Sequence, residues 1–336
     1  MPELNKGFFS VDLEQFHKAA GLGMAEACLY LIYCCGSGKS NDKTSWSVNA
    51  LNNHTGLKSA RKGKLSAERL QEAGLTKQLK GGKHPQFQII QLKDSEKVWL
   101  PNTFVTGTGD EVAPIERLRR TGDIVVLRLL LTLYARCNIA DDGGVQTDII
   151  FTDYVRKKIG SYKHFNIFGF NKNGQSVYSN KLFDFLTEKE QIATRADIAG
   201  ADLGTFWERF NTLQHSGLIY EVPTLFDSEN GEPIVALKDP FTLEYNNDLD
   251  MLNERLSVDN IRQNYDYCLP VPKAYANATL KGVYVPRYRQ HTALVAAGYA
   301  ENQNRLNDYV EILCSAHYSD KDINDSDNQD SLSAIH

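Results

Sequence analysis

Lys58, Ser59, Arg61, Lys62, Lys64 and Arg69 fall within one short span of the chain. Side chains of these types do one kind of chemistry well: they bind phosphate and the edges of bases. Arginine and lysine donate as a fork to guanine O6 and N7, while lysine and serine hold backbone phosphate. Arg61 and Lys62 are the base-contact candidates, and Lys58 and Ser59 the phosphate holders. Lys80, Lys83 and His84, a little further on, are placed to reach an adjacent groove or the backbone. A solvated helix face, or a surface for docking protein, would carry the same charges. DNA binding is preferred because the charge coincides with an informative pattern of turns.

These residues need a helix to present them. Between Lys58 and Ala73, Ala60, Gly63, Ala67 and Leu70 recur at helical steps, which puts them on one face and the cations away from it. Gly74 stands where a C-terminal cap belongs. Upstream, Thr44–Ser47 reads as a short strand, Val48–His54 as a helix and Thr55-Gly56-Leu57 as a tight break. Downstream, Leu75–Leu79 and Phe87–Leu92 flank KGGKHP, a hairpin signal. The apolar run Gly23–Cys35 suits a buried helix, with a strand over its second half as the alternative.

At HTGLKSARKGKLSAERLQEAGL this order resembles a winged helix-turn-helix domain: a TGL turn, a recognition helix over 58–73 and an EAGL exit into a wing over 75–92. The resemblance implies double-stranded DNA as the partner. Gly63 departs from the pattern, standing where a branched apolar residue is usual, and should cost about 1 kcal/mol of helix stability relative to alanine. A second, degenerate copy follows. Pro114–Cys137 reads as one or two helices, Phe206, Phe210 and Leu213 share a helical face, and the exit HSGLIYEV matches EAGLTKQL in position and kind. Glu208 beside Arg209 and Trp207 suits a protein contact or plain structure better than phosphate. Two winged helices in one chain of this length resemble plasmid and phage replication initiators, by architecture alone, and KVWLPNTFV at 97–105 adds to that impression.

Between the two patterns of the second copy, residues 154–182 hold six Lys/Arg and no acid. Arg156, Lys157, Lys158, Lys163 and Lys172 alternate with Tyr154, Tyr162, Phe165, Phe168 and Phe170, and Asn173-Gly174 offers a hairpin turn. Basic and aromatic side chains together suit backbone tracking with base stacking, a secondary nucleic-acid contact. An ordinary half-buried hairpin has the same alternation, and is slightly preferred.

Signals for catalysis are weaker. Gly36-Ser37-Gly38-Lys39-Ser40 ends like a phosphate-binding loop, but Tyr33 occupies the position of its first glycine. Cys314 and His317 are two ligands only, and Asp325, Asp327 and Asp330 lack the glycine and glutamate of a calcium loop. Tyr265, Tyr267 and Arg287–His291 have the residue types for strand transfer without the surrounding Arg/His spacing.

The chain has 336 residues and a formal charge of −5, which hides an asymmetry. Residues 1–93 carry 13 Lys/Arg against 7 Asp/Glu, whereas residues 243–336 carry 8 against 14. Cys28, Cys34, Cys35, Cys137, Cys268 and Cys314 show no CxxC pairing and read as reduced thiols of a cytoplasmic protein. No signal-peptide layout or membrane-length apolar run is present in the sequence. The expected fold class is α+β, mainly helical, with tandem winged-helix modules at 1–105 and 106–240. A helical C-terminal region over 241–318 and a disordered acidic tail over 319–336 complete it. The expected function is non-catalytic binding of double-stranded DNA by a replication initiator or transcriptional regulator of a mobile element, with no metal and no cofactor. A second copy, or a replication or regulatory protein, is the further partner. The alternative is a protein-docking adaptor in a multi-protein complex.

Overall fold

Apart from Glu26, Met24–Cys35 (α2) is apolar on every side, and such a helix is stable only when all its sides are covered. Ala25 to Cys35 are all buried, and the rest of the first unit is arranged to bury them. The computed structural model describes residues 7–37, 41–82, 85–109, 111–137, 144–162, 165–178, 203–238 and 264–286, with residues 304 and 308. The chain divides into two units: residues 1–137, 180–220 and 286–290, and residues 138–179, 221–285 and 291–336.

In the first unit β1 (Phe8–Asp12) leads into α1 (Leu13–Leu22) and then α2. Next come β2 (Lys43–Thr44), α3 (Asn49–Thr55), α4 (Ala60–Glu72), β3 (Thr76–Lys80) and β4 (Gln86–Ile89). β5 (Lys97–Pro101) returns to pair antiparallel with β1, and α5 (Thr103–Thr106), α6 (Pro114–Thr121) and α7 (Ile124–Ala135) follow. β2, β4 and β3 form a three-stranded antiparallel sheet with β4 in the middle. α2 packs against α1, α3, α4 and α6, and Tyr33 stacks on Phe87 of β4 with ring centroids 4.8 Å apart. The run 24–35 is therefore helix throughout, not strand.

Asp12 ties the start of this unit together. One carboxylate oxygen caps α1 by accepting from Gln15 N at 3.1 Å. The other accepts from Leu92 N at 2.7 Å, Ser95 Oγ at 2.5 Å and Lys97 Nζ at 2.9 Å. A fully buried carboxylate is tolerated because each oxygen is hydrogen-bonded and one is paired with a cation.

α8 (Leu203–His215) packs on α7 through a face that includes Phe206, Phe210 and Leu213. α4 and α8 end alike. Gly74 N donates to Gln71 O and Leu75 N to Leu70 O, both at 2.9 Å; Gly217 N donates to Gln214 O at 2.9 Å and Leu218 N to Leu213 O at 3.0 Å. Both glycines have positive φ, 71° and 65°, the conformation that this double-bonded helix terminus requires and that glycine adopts without strain.

The second unit is built on a curled six-stranded antiparallel sheet in the order β10-β7-β6-β11-β8-β9. Its strands are β6 (Ile150–Tyr162), β7 (Phe165–Tyr178), β8 (Ile219–Phe226), β9 (Pro233–Ala236), β10 (Tyr267–Pro272) and β11 (Thr279–Pro286). Phe165, Phe168, Phe170 and Tyr154 pack with Leu225, Leu269 and Leu280 in its core.

Three expectations are corrected here. The fold is not mainly helical: strand and helix occur in comparable amounts. The arrangement of tandem winged helices also fails, because β6 and β7 gain their outer neighbours, β11 and β10, only from residues 267–286. Finally, the stretch read as a helical C-terminal region supplies those two strands. They escaped notice because β11 is buried from Leu280 to Pro286 and β10 from Cys268 to Val271. A strand buried on both faces loses the alternation by which strands are recognised.

The hairpin turn also moves. β6 and β7 are joined at 163–164, and Asn173 and Gly174 lie inside β7. There Thr152 pairs with Ser176 and Tyr154 with Lys172, so β7 places three residues opposite Asp153 alone. The Asn-Gly pair serves a β-bulge instead of a turn. Among the described residues no helix is long and apolar enough to cross a membrane. The acidic tail, Cys314, His317 and the Arg287–His291 run lie outside the described residues.

Candidate nucleic-acid interface

α4 is fixed at its start by a local cap and by one close contact with the element before it. Ser59 caps its N-terminus, accepting from Lys62 N at 3.3 Å. At Gly63 an added Cβ would lie 3.0 Å from the carbonyl oxygen of Val48 and 3.6 Å from its Cβ. The glycine that departs from the winged-helix pattern thus permits a close crossing of α4 over the start of α3. Gly63, Ser66, Ala67 and Leu70 face inward and are buried, whereas Ala60 is exposed.

The opposite face carries Arg61, Lys62, Lys64, Leu65, Glu68 and Arg69, all exposed, with exposed Lys58 just ahead of the helix. Lys58, Arg61, Lys62 and Lys64 have no carboxylate partner among the described residues. Arg69 differs. Its Nη1 lies 3.3 Å from Oε1 of buried Glu26 on α2, and Ser66 Oγ donates to the same oxygen at 3.1 Å. Arg69 therefore fixes the C-terminal half of α4 on α2, and the free cations lie toward the N-terminus of the helix.

The sheet beside α4 extends the basic surface. Lys80 is exposed on the edge strand β3; Lys83 and His84 lie outside the described residues. Two lysines not singled out from the sequence join it. Gln88 of β4 is paired with Lys43 on one side and with Lys77 on the other. Cross-strand partners share a face, so these exposed lysines flank Gln88 in one row. The next row, Thr44 and Phe87, faces inward. β2 has only two residues, too few for its alternation to be visible in sequence.

Several arginines elsewhere in this unit bond groups of the unit itself. Arg117 bonds Ser216 O at 3.0 Å, Arg119 bonds Thr55 O at 2.9 Å and Arg120 pairs with Glu116 at 2.5 Å. Arg209 of α8 pairs with Asp123 at 2.8 Å, which leaves that helix no free arginine beside Glu208.

The basic-aromatic hairpin belongs mostly to the core of the second unit. Tyr154, Phe165, Phe168 and Phe170 are buried, so none of them is offered to a base. Arg156 lies 4.7 Å over the Phe168 ring and donates to Ala276 O and Ala278 O. Lys172 pairs with Glu221 at 2.9 Å. Lys157 and Lys158 remain exposed, and Lys163 lies outside the described residues. Tyr154 donates to the other oxygen of Glu221 at 2.5 Å and meets the Tyr267 ring edge-on. Burial, reinforced by the Glu221 charge, holds both phenols above the ordinary tyrosine range.

The segment resembling a phosphate loop follows a helix, and Tyr33 is buried within it; a phosphate loop follows a strand. Among the described residues no group of three or more His, Cys, Asp or Glu is placed to hold a metal ion. The five described cysteines are buried, and burial pushes the Cys28 and Cys35 thiols up to about 12. Neither family models, curated proteins nor solved structures yield a match to this chain.

Proposed function

We propose that the chain binds double-stranded DNA through a winged-helix surface, with α4 entering the major groove and the β2-β4-β3 sheet holding the flanking backbone. One observation carries this reading: Lys58, Arg61, Lys62 and Lys64 are exposed without acidic partners among the described residues, beside the row of Lys43 and Lys77, while the other arginines named above each bond a group of the chain. A cluster of unpaired cations repels itself, and an array of phosphates relieves that repulsion. The biological role that fits is a non-catalytic replication initiator or transcriptional regulator of a mobile element.

The test is retention of total DNA from the host and its mobile elements by the full chain at two salt concentrations. A DNA reader should enrich one repeated site, with affinity falling steeply as salt rises because each phosphate contacted contributes about −0.9 to the log–log slope. Repeats at an origin would assign an initiator, and a promoter site a regulator. No retention at low salt would reject the reading. The second reading, a protein-docking adaptor, draws on Leu65 and Leu79, which are 45% and 43% exposed on the same elements.

A further inference from the structure

An exposed leucine alone carries no message; the neighbours of Leu65 give it one. On α4 Arg61, Leu65 and Glu68 stand at i, i+4 and i+7 and line up along the outward face, with Lys62 and Lys64 to either side. The line thus presents a fork of donors, an apolar group and an acceptor in that order. Glu68 has no cationic partner among the described residues, and a carboxylate pressed on phosphate would be repelled. A line that ends in an acceptor suits base edges better, where cytosine N4 donates to carboxylates. In the major groove the apolar feature of a base edge is the C5-methyl of thymine.

We infer that Leu65 is a specificity-determining residue that packs on a thymine methyl group. The inference rests on the DNA-binding reading above. Arg61 and Leu65 are about 6 Å apart along the helix axis, at about 1.5 Å per residue. Base pairs are stacked about 3.4 Å apart. The thymine therefore lies one or two steps from the guanine that Arg61 addresses.

The full chain first selects its site from a pool of random duplexes. Each thymine of that site is then replaced in turn by deoxyuridine, which lacks only the methyl group. At one position the replacement should weaken wild-type binding about fourfold, the effect of one buried methyl-sized group. Leu65→Ala should bind the thymine and uracil forms equally, and Leu65→Met should restore part of the discrimination. Thermal unfolding of both variants shows that they fold. If the wild type tolerates uracil everywhere, or Leu65→Ala keeps the penalty, the inference is overturned while DNA binding stands. If Leu65→Ala instead changes the oligomeric state and leaves the uracil penalty intact, Leu65 is a protein contact and the inference is again overturned. If no duplex is retained at all, the DNA-binding reading falls and this inference with it.

Discussion

Arg69 of α4 meets Glu26 of α2 at 3.3 Å, joining an exposed guanidinium to a carboxylate that is only 6% exposed. Removing either partner should destabilise the fold, and removing Arg69 leaves a buried charge held by Ser66 alone. Arg69→Ala and Glu26→Ala should each lower unfolding free energy by about 1–3 kcal/mol in chemical denaturation. Arg69→Ala should cost DNA affinity less than Arg61→Ala does. A variant of Arg69 that keeps full stability but loses DNA would return that residue to the interface.

Arg61→Ala combined with Lys62→Ala removes two exposed side chains with no partner among the described residues. Stability should stay within about 0.5 kcal/mol of the parent. DNA affinity should fall by an order of magnitude or more, since a good bidentate base contact contributes about 1–3 kcal/mol. Loss of folding in a melting experiment would mean that these side chains face inward.

Lys43→Gln with Lys77→Gln should behave differently. The row these lysines form across β4 is suited to phosphate, so binding should weaken about equally for every sequence. The log–log salt slope should become shallower by about 2, a little less than one per phosphate contact. A change in sequence preference, read by titrating two unrelated sites, would place the row on base edges.

Asp12 gives the first unit a pH dependence. Burial opposes its ionisation, but the hydrogen bonds from Ser95, Lys97, Gln15 and Leu92 outweigh burial and hold the carboxyl below its ordinary value of 3.8. Its contribution is therefore fully present above that value and is lost as pH falls through the lower, folded one. Acid unfolding should show a stability loss below about pH 4 that Asp12→Asn lacks. An identical acid profile for Asp12→Asn would show that other carboxylates govern it.

Gly63→Val should destabilise the chain by about 1–3 kcal/mol, because the side chain meets backbone where α4 crosses Val48. Gly63→Ala sets the gain in helix propensity, about 1 kcal/mol, against a 3.0 Å contact with a carbonyl. It should fall short of that gain, as thermal unfolding would measure.

Sequence revealed elements whose pattern is local. The inward face of α4, the Gly74 terminus and its counterpart at Gly217 depend on spacing within one helix, and each is visible from a few neighbouring residues. The positive surface was legible for the same reason, except at Lys43 and Lys77, which become neighbours only through Gln88. The pairing of Arg69 with Glu26 was not legible because the two lie on different helices. β10 and β11 were invisible because double-sided burial erased their alternation, and Asn173-Gly174 was misplaced because the same dipeptide fits a bulge as well as a turn.

The pairing of Asp153 with Lys281 has a consequence for synthesis. The β6–β7 hairpin is complete once Tyr178 has been made, yet both of its flanking strands come from residues 267–286. Until those emerge, it has two unpaired edges, the geometry on which foreign strands add. Lys157 and Lys158, exposed on β6, are charges of the kind that discourage such addition. Chains cut short between 241 and 263 would keep both edges open for good, so their expected fate is aggregation rather than a smaller folded protein.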